Sequence, residues 1–178
     1  MSQSKPLIRT SVVEDLPAIT AIYANEVSHG LASFEVEPPD LNEIGRRREE
    51  LLSNGYPYLV AAVENKVVGY AYAGPYRSRP AYRYSLENSI YVARESRNCG
   101  VGKKLLAELI EVCGRGDWHT MIAVIGDTNN TGSIALHRSL GFRHVGTIRS
   151  VGYKLNQWVD SVIMQKVLQS ATALPLQK

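Results

Sequence analysis

The sequence predicts a mixed α/β fold, one sheet with helices packed on both of its faces, and three stretches predict it. The first is Leu86 to Cys113, where an alternating strand runs into a loop of small residues and then into an amphipathic helix. The second is the pair of runs YLVAAV and VVGYAYAG around Glu64-Asn65-Lys66, the outline of a β-hairpin. The third is Thr120 to Ile125, a continuous apolar run suited to a central strand buried on both faces. At 178 residues, with 44% hydrophobic and 21% charged residues, the chain fits one globular domain over 1–168 with a flexible tail at 169–178.

Leu7 to Thr10 is short enough for an edge strand. Glu14-Asp15-Leu16-Pro17 opens a helix, since acidic residues and proline both favour a first turn, and Ile19, Ile22, Tyr23 and Val27 give it an apolar side. His29 to Pro39 reads as a connecting loop. Asp40 caps a second helix running through Leu52, with Leu41, Ile44, Leu51 and Leu52 inward and Arg46 to Arg48 in water. The hairpin follows, then a proline-broken loop from Pro75 to Arg83, then a strand from Tyr84 to Val92 rich in Ile, Val and Tyr. In the next helix Leu105, Leu106, Leu109, Ile110 and Cys113 recur at helical spacing before Gly114. After the apolar strand, Asp127 to Asn130 caps a short helix through Leu140, Gly141-Phe142 starts a strand, and Asp160 to Val167 is the last one. The order is β-α-α-β-β-β-α-β-α-β-β.

Lys and Arg exceed Asp and Glu by 20 − 17 = 3, enough to help attract a polyanionic cofactor and too little for a nucleic-acid partner. Two cysteines, Cys99 and Cys113, have neither disulfide-framework nor zinc spacing, which points to a reducing compartment and no metal site. The start MSQSKPLIRT has no apolar core of a signal peptide, and no apolar run approaches membrane length. These features predict a cytoplasmic protein without a membrane partner.

The loop Arg97-Asn98-Cys99-Gly100-Val101-Gly102-Lys103 follows a strand and starts a helix, where unpaired backbone N–H groups cradle an anion and glycine allows close approach. A P-loop requires glycine where Arg97 stands and a hydroxyl after Lys103, where Lys104 stands. A dinucleotide fingerprint requires a third glycine at Leu105. What R-x-x-G-x-G does resemble is the pyrophosphate loop of the GNAT superfamily of acyl-CoA-dependent N-acyltransferases. A second motif, Asn130-x-x-Ser133-x-x-Leu136-His137-x-x-x-Gly141-Phe142, is similar to that superfamily's N-x-x-[AS]-x-x-[LF]-Y-x-x-x-G-F, with His137 in the tyrosine's place. The resemblance runs from Ile8 to Val167. It is nearest to the phosphinothricin and methionine-sulfoximine N-acetyltransferases, which share Leu86-Glu87-Asn88-Ser89-Ile90-Tyr91-Val92, the Leu136-His137-Arg138 variant, and a late segment like Gly152-Tyr153-Lys154 with Trp158-Val159-Asp160.

The resemblance implies a mostly antiparallel sheet, acetyl-CoA as co-substrate, and acetyl transfer to the α-amine of a small amino-acid-like acceptor such as phosphinothricin, methionine sulfoximine or methionine sulfone. Arg97 to Lys103, the strand residues Ile90, Tyr91 and Val92, and Asn130 and Ser133 are then the cofactor-binding positions. Such an enzyme needs a base, because an α-ammonium is mostly protonated at neutral pH. Glu87 takes that role by resemblance; the alternative is an exposed strand residue. His137 could protonate the leaving thiolate or serve only as a packed core residue, and Asn130 could be only a helix cap. The loop carrying Tyr76, Arg77, Ser78, Arg79, Tyr82 and Arg83 lines the acceptor pocket in that family, with Leu86, Glu87 and Asn88, and an arginine fork there suits a carboxylate or phosphinate. Interleaved Arg and Tyr also suit stacking on RNA bases, but three arginines on a nearly neutral chain make a weak phosphate footprint. Direct transfer in a ternary complex and a homodimer are the further expectations. The competing readings are a protein N-terminal acetyltransferase of the ribosomal-protein type and a CoA-binding sensor without turnover.

Overall fold

The computed structural model describes residues 5–168; the tail expected at 169–178 lies outside them. In chain order the elements are β1 (Leu7–Thr10), α1 (Leu16–His29), α2 (Leu41–Ser53), β2 (Tyr58–Val63), β3 (Lys66–Pro75), β4 (Ser85–Val92), α3 (Val101–Gly114), β5 (Thr120–Gly126), α4 (Thr131–Ser139), β6 (Arg143–Lys154) and β7 (Gln157–Val167). The seven strands form one sheet in the order β1-β2-β3-β4-β5-β7-β6, antiparallel throughout except for β4 beside β5. No helix among the described residues is long and apolar enough to cross a membrane.

Local chemistry accounts for the connections. Glu64 and Asn65 adopt left-handed φ values of 50° and 64°, and Leu155 and Asn156 values of 50° and 59°, so both hairpins close through two-residue turns whose twist matches the strands. Asp40 caps α2 by accepting from the Glu43 amide at 2.8 Å. Two apolar layers sandwich the sheet. Leu105, Leu106, Leu109 and Cys113 of α3 pack on Leu86, Met121 and Met164; on the other face Ile19, Tyr23 and Val27 of α1 and Ile44 of α2 pack on Tyr58, Val60 and Tyr70. Removing the buried mass of Leu105 would cost about 2–5 kcal/mol.

Four expectations need correction. Leu41 is exposed, because it occupies the first turn of α2 beyond the reach of α1. Arg48 is buried instead of solvated: its Nε donates to Ser11 Oγ at 2.7 Å and its Nη2 to the Ser11 carbonyl at 2.6 Å, which satisfies the guanidinium inside. The last strand begins at Gln157, three residues early, because the tight turn at Leu155-Asn156 keeps it paired with β6 from the start. β5 is not covered on both faces along its whole length: Val124 is exposed.

That exposure reflects the feature of the sheet that matters most. β4 and β5 pair only from Ser85↔Thr120 to Asn88↔Ala123. Beyond that point β4 stays on β3 as far as Val92↔Gly69, and β5 stays on β7 as far as Gly126↔Ser161. Each strand follows its outer neighbour, and a wedge opens between them.

Candidate active site

Alternation along β4 distributes its side chains to the two sides of this wedge. Leu86, Ile90 and Val92 join the α3 layer and Tyr91 joins the α1 layer, which places Asn88 on the α3 face and Glu87 and Ser89 with Tyr91 on the α1 face. The wedge itself is bordered by Asn88 to Tyr91 of β4, Ala123 to Gly126 of β5, and Asn130, Ser133 and His137 of α4. Beyond Asn88 the β5-facing edge of β4 has no partner strand among the described residues; Ser85 and Ala93 bond their backbone toward β3, so by alternation Tyr91 does too, and Ile90 and Val92 present backbone groups to the opening.

At the wide end lies the glycine loop. Gly100 precedes α3 with φ 78° and Asn98 has φ 61°, so the chain turns through left-handed conformations into the helix and leaves the first amides of α3, from Val101, Gly102 and Lys103, pointing outward. A side chain at Gly102 would touch Leu136 at 3.4 Å, which is how closely α3 approaches α4. Arg97 is held by its Nε on the Val92 carbonyl at 3.1 Å and by an ion pair to Glu26 of α1 at 2.8 Å. Asn130 Oδ1 accepts from the Ser133 amide at 3.2 Å and so caps α4. His137 is 2% exposed, with Nδ1 2.8 Å from the Ser133 carbonyl, Nε2 3.0 Å from Asn88 Nδ2, and the Phe142 ring edge-on at 5.0 Å. Both ring nitrogens are engaged, and burial lowers its pKa and keeps the ring neutral. Asn88 Oδ1, by contrast, is buried without a hydrogen-bond partner among the described residues. A glycine-rich anion cradle, an open strand edge and a waiting buried acceptor in one wedge fit the expected acetyl-CoA.

On the α1 face Glu87 opens into a cavity of about 370 Å³ walled by Tyr23, the Ala32–Glu35 segment, Ser89, Tyr91 and the end of β5. Burial raises the Glu87 pKa and the nearby Arg77 cation partly offsets the rise, which moves this carboxyl toward the range of a general base. Tyr23 donates to Glu35 at 2.7 Å and accepts from Ser33 at 2.9 Å, while Arg47 pairs with Glu35 at 2.6 Å. The buried Lys154 ammonium donates to the Ser33 carbonyl at 2.6 Å and fastens this wall to β6. Gly126 and Gly152 make room for it: a Cβ at Gly126 would lie 2.1 Å from the Leu31 carbonyl, and one at Gly152 would lie 2.5 Å from the Phe34 ring.

The sequence reading treated His29 to Pro39 as a plain connector and missed this wall. The hint was Ser33-Phe34-Glu35, an aromatic flanked by polar groups in a loop between two helices. Tyr76, Arg77, Ser78 and Arg83 do not line the cavity; Arg77 stacks on Tyr76 at 4.9 Å and Arg83 on Tyr84 at 4.5 Å, and of the loop only Arg77 acts on Glu87. Leu86 is fully buried below the site. Among the described residues no group of three or more His, Cys, Asp or Glu side chains is placed to hold a metal ion.

Comparison with known proteins gives this geometry a context. Residues 8–163 match the acetyltransferase (GNAT) domain family. The chain is 49% identical to a phosphinothricin N-acetyltransferase of Alcaligenes faecalis over 91% of its own length and 83% of that protein's. It superposes with TM-score 0.94 and 42% identity on a GNAT superfamily phosphinothricin acetyltransferase from Sinorhizobium meliloti in complex with AcCoA, covering 97% of this chain and 94% of that one. A ribosomal-protein-alanine N-acetyltransferase from Brucella melitensis superposes with TM-score 0.88 and 44% identity, covering 90% and 99%.

Proposed function

This chain belongs to the GNAT acetyltransferase family and is an acetyl-CoA-dependent N-acetyltransferase, and on that premise we propose that its acceptor is the α-amine of a small amino-acid-like molecule of the phosphinothricin, methionine sulfoximine or methionine sulfone type. One observation carries the proposal: the cavity holding Glu87 and the wedge beside the glycine loop share Ser89, Tyr91, Val124 and Gly126, so an amine in the first meets the reactive end of a cofactor in the second.

Bound acetyl-CoA supplies an acetyl thioester as electrophile. Arg97 to Lys103 and the first amides of α3 would hold its pyrophosphate, and the open edge at Ile90 and Val92, the Tyr91 side of the wedge and the capped start of α4 at Asn130 and Ser133 would hold the rest of it. Glu87 would take one proton from the acceptor ammonium; the neutral amine would add to the thioester carbon, and as the C–S bond broke the second nitrogen proton would pass to the departing sulfur, leaving the amide, the CoA thiol and a protonated Glu87. The two carboxylates Glu35 and Glu87 and the Tyr23 hydroxyl favour the ammonium end of the acceptor, and Arg77, outside the lining yet near enough for its charge to act on Glu87, favours its acidic end electrostatically. Direct transfer is supported by the cysteines: Cys99 lies in the anion loop, and burial pushes the Cys113 thiol up to about 12. Neither is in a disulfide, in keeping with the cytoplasm. A homodimer is supported by Val145, Ile148, Val151, Tyr153 and Trp158, exposed apolar side chains on the β6–β7 hairpin.

The experiment is a free-thiol release assay over phosphinothricin, methionine sulfoximine, methionine sulfone, ordinary amino acids, polyamines, aminoglycosides and a ribosomal-protein N-terminal peptide. Amidating the acceptor's carboxylate raises KM at least about tenfold, and Arg77→Ala shrinks that preference. The second reading, a protein N-terminal acetyltransferase, has the Brucella melitensis neighbour in its favour. Against it stands the Ala32–Glu35 wall, which borders one side of a half-open space of small-molecule size. Turnover of the peptide above every amino-acid analogue would establish that second reading instead.

A further inference from the structure

The chemistry above makes no use of the Asn88 amide. Asn88 is the last residue of β4 still paired with β5, lies opposite Ala123, is 6% exposed, and borders the wedge with Asn130 and His137. His137 Nδ1 lies 3.4 Å from Ser133 Oγ and 2.8 Å from the Ser133 carbonyl, and the shorter contact sets the direction of the polar chain leading to Asn88. A backbone carbonyl can only accept, so His137 Nδ1, 2.8 Å from the Ser133 carbonyl, carries the ring proton. Nε2 is then a lone pair, and the Asn88 atom 3.0 Å from it must be the donating Nδ2. The amide cannot flip without setting its oxygen against that lone pair. Its Oδ1 is thereby left buried with no partner among the described residues, although such an orphaned acceptor is costly. The Phe142 edge against the ring at 5.0 Å keeps His137 from turning away.

Among the hydrogen-bond donors of acetyl-CoA, the one nearest the reacting carbon is the N–H of the cysteamine amide; the thioester itself has none. We propose that Asn88 Oδ1 is a preset acceptor for this amide N–H, and that His137 is a positioning residue that fixes the Asn88 amide and does not donate a proton to the leaving thiolate. The proposal rests on acetyl-CoA occupying the β4–β5 wedge. It assigns a task to the unusual histidine of the Leu136-His137-Arg138 segment: an imidazole offers an acceptor to Asn88 and a donor to the Ser133 carbonyl at once, which a phenylalanine cannot do.

Calorimetric affinities test it without turnover. Wild type and Asn88→Leu are each titrated with acetyl-CoA and with an analogue whose cysteamine amide N–H is replaced by an ester oxygen. Wild type binds the amide about tenfold more tightly than the ester, and Asn88→Leu binds the two alike. Equal amide preference in both proteins overturns the proposal, because the Asn88 oxygen then meets water or another group. Failure of wild type to bind acetyl-CoA at all would instead strike the family reading. Nitrogen-15 NMR supplies the second measurement: His137 shows a protonated Nδ1 and an unprotonated Nε2 from pH 6 to 8, free and with acetyl-CoA bound. A protonated Nε2 in the complex would restore the proton-donor role. His137→Phe, if it folds, loses the amide preference as Asn88→Leu does; retention of that preference in a folded variant counts against the positioning role.

Discussion

Replacing Glu87 by glutamine preserves the shape of the side chain and removes its basicity. The magnitude follows from what else in the cavity could take the proton. The other carboxylate, Glu35, already accepts on Oε1 from Tyr23 at 2.7 Å and from Arg47 at 2.6 Å, and on Oε2 from Arg47 at 3.4 Å, so the guanidinium ties it to the wall and disfavours its protonation. The imidazole of His137 is buried on the opposite face of β4 with both nitrogens engaged. With no substitute base, Glu87→Gln loses about 10²–10⁴ in kcat/KM at neutral pH, or roughly 3–5 kcal/mol of transition-state stabilisation. Acetyl-CoA affinity by calorimetry stays the same. The variant should also be more stable than wild type at pH 7. Burial holds the folded Glu87 pKa above its ordinary 4.5, so its ionised form disfavours the native state; the stability gained on substitution is present above the folded pKa and vanishes below about pH 4.5. Thermal unfolding of both proteins across pH reads this directly. A rate loss under threefold, or a variant less stable than wild type at pH 7, would refute the assignment of Glu87 as a desolvated base.

Other perturbations separate the remaining parts of the site. Gly100→Glu, at a position with open space around its Cβ but φ 78°, sets a carboxylate in the anion cradle; thermal stabilisation by CoA disappears, while Gly100→Ala pays only about 1–2 kcal/mol of backbone strain and keeps most of it. Gly126→Ala drives a methyl group against the Leu31 carbonyl and displaces the acceptor wall, so acceptor KM rises by about 10–100-fold in steady-state kinetics. Arg48→Met removes both donors to Ser11 and lowers stability in urea by about 1.5–3 kcal/mol without changing kcat. His137 is buried neutral, with its pKa below the ordinary 6.5, so the stability it contributes is present above pH 6.5 and lost as pH falls through its folded pKa; the stability difference between wild type and His137→Phe shrinks over that range in urea titrations.

The succession of strands and helices was legible because period and punctuation agree along most of the chain. The glycine loop and the Asn130 cap were legible because they are local, each closing within a few residues. What escaped depends on contacts between distant segments. Arg48 lies four residues after Ile44 and three before Leu51, on the stripe that faces inward, yet its charge outweighed its position in the reading; only the presence of Ser11 across the gap makes burial tolerable. The Ala32–Glu35 wall has no periodicity of its own and is shaped by Lys154, more than a hundred residues further on. The pairing of Asn88 with His137 spans 49 residues and joins a strand to a helix, so neither residue hints at the other.

β4 carries different duties on its two faces, and a strand has no half-measures in how it is read. Shifting its frame by one residue would send the Glu87 carboxylate into the apolar layer under α3 and turn the Asn88 amide toward the acceptor. A deletion of Leu86 therefore leaves Glu87 and Asn88 in the gene and exchanges the sides they face. The safeguard is the unbroken ladder with β3, seven successive pairs from Pro75↔Leu86 to Gly69↔Val92, which keeps the frame even where β5 has let go. Length changes in this family should then accumulate in the loop before α2 and in the Pro75–Arg83 crossing, and be purged from these eight residues.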